Sequence, residues 1–219
     1  MKDRGNGPSG PKLWNNMERA FDQVCAAYNA RKLMPLVEAD ISGYLYHVLA
    51  TQSGGDVRLI HLDTRVLGAA GNEKYDLVIG GVVGTEDLRR LVENIRGKLD
   101  EVKEKQVPSR FEVEKLRPMI WPDLVLEIKL FAIGFTNGQL RNRLTGAIED
   151  IRKLKTLKWV CPEGRTVVLF DDIGYLKRTE EERIVHERNS EDPSLHIYLF
   201  RGNTGREWRW TRLDGPIQV

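Results

Sequence analysis

Residues 124–131 read Leu-Val-Leu-Glu-Ile-Lys-Leu-Phe, an apolar run broken only by Glu127 and Lys129. A segment this short and this apolar reads as a buried strand, here spanning Asp123 to Phe131. Strand side chains alternate between faces, so Glu127 and Lys129 share one face and Ile128 takes the other. A carboxylate and an ammonium are costly to bury in such a segment unless they pair or bind something. A fold that buries this strand must therefore give that face a partner.

The flanking pattern alternates between helix and strand. Leu13, Met17, Phe21, Val24 and Tyr28 recur at three- and four-residue steps and predict a helix over 13–33. Pro35 suits the first turn of a second helix, with Val37, Ile41, Leu45, Val48 and Leu49 as its apolar stripe and Ser53-Gly54-Gly55 as its end. Strands are predicted at 57–67 and 75–83, around a loop at 68–74. An amphipathic helix over 85–106 and a connector over 108–118 lead to the central strand. A long helix then runs from the Gly134–Asn137 turn to about Leu157. A strand at 165–170, a charged helix at 179–187 and strands at 195–200 and 208–213 follow. The last two strands are joined over Gly202-Asn203-Thr204-Gly205 as a hairpin. Such alternation predicts an α/β domain built around a mixed sheet.

Composition narrows the class. The 219 residues are 41% hydrophobic with a net charge of +2, which is enough for a real core and too apolar for general disorder. Residues 1–12, polar and rich in Gly and Pro, are predicted to be a disordered tail ahead of a single domain over 13–219. No run approaches the ~20 apolar residues of a membrane helix, and no secretory h-region is visible. Cys25 and Cys161 form neither a disulfide framework nor a zinc spacing, which predicts a reducing, cytoplasmic setting. Six basic residues between Arg141 and Lys158 stand against Glu149 and Asp150, so this segment is either a face for an anionic partner or an ordinary solvated one.

Asp76 stands at the mouth of the strand at 75–83. If that strand neighbours the central one, Asp76 and Glu127 can converge on one divalent cation. Oxygen donors suit Mg²⁺, with Mn²⁺ able to substitute, and a metal that lowers the pKa of water yields a nucleophile for a phosphodiester. With Asp76, the Glu127-x-Lys129 pair and Glu38 on a preceding helix, in this order of elements, residues 35–170 resemble the PD-(D/E)XK nuclease superfamily. The resemblance implies a restriction-endonuclease-like fold: an αβββαβ core with a mixed central sheet, extended here by an extra N-terminal helix and a C-terminal β-hairpin. It implies a Mg²⁺-dependent endonuclease acting on nucleic acid, DNA foremost. Asp76 and Glu127 would be metal ligands, and Glu38 would complete the acidic cluster through a second metal or a water. Lys129 would orient the water and offset charge on the phosphate. Carboxylates around Lys129 stabilise its charged form, which favours an electrostatic role over that of a general base. The helix after the central strand often faces nucleic acid in that superfamily; here its start carries Gln139, Arg141 and Arg143, the arginines as phosphate contacts. The alternative is a non-catalytic nucleic-acid-binding or assembly module of the same fold, its acidic cluster kept as a salt-bridge network.

Other features read more simply as structure. Gly80-Gly81-Val82-Val83-Gly84 lacks the spacing of a phosphate loop, and Glu86 and Asp87 put negative charge where a phosphate would sit. His47, His61, His186 and His196 form no metal pair, and Asp171-Asp172 reads as a turn. Asp123 is either a further acid on the face of Glu127 or, the reading favoured, the polar entry of the strand. Trp208 and Trp210 alternate with arginines as in single-strand binders, but they share one strand face and read first as packing. The helix at 85–106 is a cover over the sheet or the contact of a homodimer.

Overall fold

Residues 10–52, 60–66, 69, 73–83, 119–161, 164–188, 192, 194–203 and 206–213 are described by the computed structural model. Among them the chain forms α1 (Gly10–Asn29), α2 (Glu38–Gln52), β1 (Ile60–Thr64), β2 (Tyr75–Val83), β3 (Met119–Phe131), α3 (Asn137–Thr156), β4 (Arg165–Asp171), α4 (Arg178–Arg188), β5 (Leu195–Asn203) and β6 (Arg206–Arg212). A turn of 3-10 helix, Leu157–Trp159, closes α3. The helix expected at 85–106 and the connector at 108–118 lie outside the described residues, as does most of the 68–74 loop.

The six strands make one mixed sheet in sequence order, β1 to β6. Only β3/β4 and β4/β5 pair in parallel. Both faces are covered. Met17 and Phe21 of α1 and Ile41 and Leu45 of α2 pack against Leu124, Leu126, Ile128 and Leu130. On the other face Leu140, Leu144 and Ile151 of α3 and Ile184 of α4 pack against Val125, Val167, Leu169 and Ile197. A strand buried on both sides loses polar alternation, which is why β3 reads as an almost continuous apolar run. The chain is thus an α/β layered fold, and among the described residues no helix is long and apolar enough to cross a membrane.

Several boundaries differ from the sequence expectation for identifiable reasons. Helix α1 opens at Gly10, inside the stretch expected to be a tail. Helix α2 begins at Glu38 rather than Pro35, because the Asp40 carboxylate accepts the N–H groups of Leu36 and Val37 at 2.8 and 3.0 Å and holds them as a turn. Val37 consequently sits outside the apolar stripe and is 52% exposed. Strand β3 starts at Met119, earlier than expected, and passes through Pro122 by means of a bulge. Between Ile79 and Gly80 of β2 the partner on β3 steps from Leu124 to Pro122, leaving Asp123 as the extra residue. The bulge also shifts the alternation, so that Ile120 packs in the α3 layer while Leu124 packs in the α1–α2 layer.

The Trp-Arg segment of β6 follows the packing reading. The Trp208 ring lies 4.1 Å from that of Tyr28, and the Trp210 indole N–H donates to Asp22 at 2.8 Å, which seats the hairpin on α1. Arg165, fully buried at the start of β4, donates two 2.7 Å bonds to Asp192, so this internal charge is paired. Cys25 and Cys161 are buried free thiols whose pKa values burial pushes up to about 12, so neither is poised as a nucleophile.

The bulge depends on Gly164. Its carbonyl accepts the Val125 N–H at 2.6 Å, and a Cβ built on it would lie 2.0 Å from the Asp123 carbonyl oxygen. Gly164→Ala should therefore cost roughly 3 kcal/mol. In urea unfolding the midpoint should fall with an unchanged slope, and a midpoint equal to the parent's would contradict the packing described here.

Candidate active site

Strands β2 and β3 are hydrogen-bonded partners only as far as Leu77–Leu126. One step further Asp76 and Glu127 stand opposite each other, and there β2 leaves β3 while remaining paired with β1 through Thr64–Tyr75. The inner N–H groups of β3 then need acceptors other than a strand. Asp76 Oδ2 accepts the Ile128 N–H at 2.7 Å, and Glu38 Oε1 accepts the Leu130 N–H at 3.2 Å. Two carboxylates thus continue the ladder where β2 has left it. The sequence-predicted residues Glu38, Asp76, Glu127 and Lys129 are brought together at this fork.

The α3 helix supplies partners that the sequence reading did not assign to this cluster. Arg143, Gly146, Asp150 and Lys153 follow one another at three- and four-residue steps, a single stripe of the helix. Arg143 pairs with Glu38 and lies over the Phe135 ring, 4.1 Å from its centroid. A Cβ on Gly146 would lie 3.3 Å from Lys129 Cε. Asp150 pairs with Lys129 at 2.8 Å. Lys153 pairs with Glu127 at 2.5 Å and lies 4.0 Å from the centroid of the Tyr75 ring. The polar stripe inside an otherwise amphipathic helix was visible as spacing, but which strand residues it would meet was not.

These groups shape one another's charge. Glu127 is 3% exposed, and burial, reinforced by the Asp150 and Asp76 charges, raises its pKa to about 9 against the opposing pull of Lys153. Burial likewise raises that of Asp150, although Lys129 and Lys153 oppose it. Burial works against the charge of Lys129, yet Asp150, Glu38 and Glu127 outweigh it, so its pKa is raised. The cluster holds four carboxylates (Glu38, Asp76, Glu127, Asp150) and three cations (Lys129, Arg143, Lys153). A proton retained on the buried Glu127–Asp150 pair brings it to neutrality.

The remaining expected residues do not all join the site as foreseen. Gln139, though exposed, is engaged in a capping box with Thr136 at the start of α3, and Arg143 is held by Glu38; Arg141 is exposed. Much of the basic segment is turned inward or onto α4, where Arg152 makes two 2.9 Å bonds to Glu187. Asp123 is the exposed bulge residue beside Gly164, four positions before Glu127 and so ~13 Å along the strand, which fits a polar entry rather than a further acid.

The donor chemistry at the fork suits a hard divalent cation: the carboxylates of Asp76 and Glu127, with that of Glu38 alongside. As they stand, these oxygens are engaged by donors of the chain itself, and among the described residues no group of three acids, histidines or cysteines is arranged to hold a metal ion. Comparison with protein-family models, curated proteins and solved structures finds no match for this chain.

The raised Glu127 pKa has a thermodynamic consequence. The folded state keeps a proton that the unfolded chain releases, so this stabilisation is full below about 4.5 and is lost as pH rises toward about 9. Glu127→Gln, a mimic of the protonated acid, should unfold at a higher temperature than the parent, with the difference widening across that window. A difference that shrinks with rising pH in thermal unfolding would show that Glu127 is ionised throughout.

Proposed function

We propose that the chain is a metal-dependent nuclease of restriction-endonuclease-like fold, hydrolysing phosphodiester bonds of nucleic acid, DNA foremost. The observation that carries this reading is the fork: Asp76 and Glu127 oppose each other where β2 and β3 part, and Lys129 lies on the same face as Glu127. The order α2, β1, β2, β3, α3, β4 supports it, since it is the αβββαβ core that the sequence resemblance implies.

Asp76 and Glu127 would hold the cation, with Glu38 completing the acidic set. Bound there, Mg²⁺ or Mn²⁺ supplies an activated water and neutralises charge on the phosphate. Lys129, kept cationic by its carboxylate neighbours, stabilises the negative charge that develops on the phosphoryl oxygens. Lys153 and Arg143 hold Glu127 and Glu38 in place and limit repulsion within the cluster. Exposed Arg141, on the first turns of α3, is the remaining candidate for a backbone phosphate contact.

A second reading has its own support. Each of the four carboxylates is already engaged by a donor or cation of the chain, which is what a nucleic-acid-binding or assembly module with a retained salt-bridge network would show. The two readings separate in a cleavage assay on labelled plasmid, linear duplex, single-stranded DNA and RNA with Mg²⁺ or Mn²⁺. A nuclease cuts at least one substrate in a metal-dependent manner, and Glu127→Ala and Lys129→Ala each lower the rate by about 100-fold or more. Absence of cutting with either metal, together with binding that survives both substitutions and falls with salt, would select the module.

A further inference from the structure

The geometry points to Asp150 as a positioning residue for Lys129, with Gly146 as the space that lets the lysine reach it. This rests on the nuclease reading and assigns the active-site lysine a dedicated partner on α3.

Two independent features of α3 are fitted to this one side chain. The first is the ion pair: Asp150 lies 2.8 Å from the Lys129 ammonium, and the two side chains are only 14% and 17% exposed. The second is Gly146, one turn earlier on the same stripe. Glycine is among the poorest residues for a helix interior, yet Gly146 sits mid-way along α3, and any Cβ there would meet Lys129 Cε at 3.3 Å. The stem of Lys129 thus runs across the glycine while its head meets the carboxylate four residues on. Lysine carries four rotatable stem bonds and would otherwise sample many positions of its charge. Against the Glu127 backbone two residues away, the cradle fixes the distance between the ammonium and the fork. Precise placement of a charge before the reaction is what makes electrostatic stabilisation effective. Asp150 acts through Lys129 and needs no contact with substrate.

A merely structural ion pair would move stability, whereas a positioning role moves turnover. With the full chain and whichever nucleic acid it cuts, Asp150→Asn should lower kcat by about 10–100-fold, with KM and the Mg²⁺ activation constant within about twofold of the parent's. Asp150→Glu, which restores the charge, should recover much of the loss. Gly146→Ala keeps Asp150 and improves the helix, so it should unfold at or above the parent's temperature yet turn over more slowly. It also tests the proposal should Asp150→Asn fail to fold. Unchanged kcat in Gly146→Ala or in a folded Asp150→Asn overturns the proposal and leaves the nuclease reading intact. A raised Mg²⁺ requirement at unchanged maximal rate also overturns it, making Asp150 a metal ligand instead. No cleavage by the parent chain overturns both.

Discussion

The parting of β2 from β3 beyond Leu77 and Leu126 is the constraint on which the rest of the site depends. A central strand cannot leave inner N–H groups without acceptors, and here the acceptors are the carboxylates of Asp76 and Glu38. Those two bonds draw acids from β2 and α2 to the edge of β3. The period of the strand then sets Glu127 and Lys129 on the face toward α3. One backbone event thus gathers residues from four elements distant in sequence.

Gathering so many carboxylates against an apolar sheet is unfavourable, and α3 is the element that offsets it. Its stripe places a cation on Glu38, an anion on Lys129 and a cation on Glu127. The arrangement is electrically balanced only with a proton on the buried acids, which makes the cluster less comfortable as pH rises. A fold selected for stability alone would do better with apolar residues in these places. Concentrated, partly protonated charge in the interior is more readily understood as a site than as a fastening.

The legible part of the structure was the part with a strong period. The bounds of β2 and the two-faced burial of β3 follow from short, nearly continuous apolar runs, and the shared face of Glu127 and Lys129 follows from the two-residue period of a strand. Asp76 was identifiable because it opens an apolar strand. Asp150 and Lys153 were not, since they read as ordinary helix-surface charges until α3 is laid across the sheet in register. Gln139 misled for a related reason: Thr136-x-x-Gln139 is a capping box by spacing, and that local role engages the side chain. Arg143 reads from the sequence as a phosphate contact, but its place on α3 brings it to Glu38. The start of β3 was hidden by Pro122, which argues against a strand unless a bulge is foreseen.

We propose that the carboxylates at the fork form a divalent-cation site rather than a closed salt-bridge network. Titration of the protein with Mn²⁺, followed by the electron paramagnetic resonance of the free ion, tests it without reference to any substrate. Saturable binding in the parent chain that is lost in Asp76→Asn is the predicted result. Absence of binding, or binding undiminished by Asp76→Asn, would contradict it.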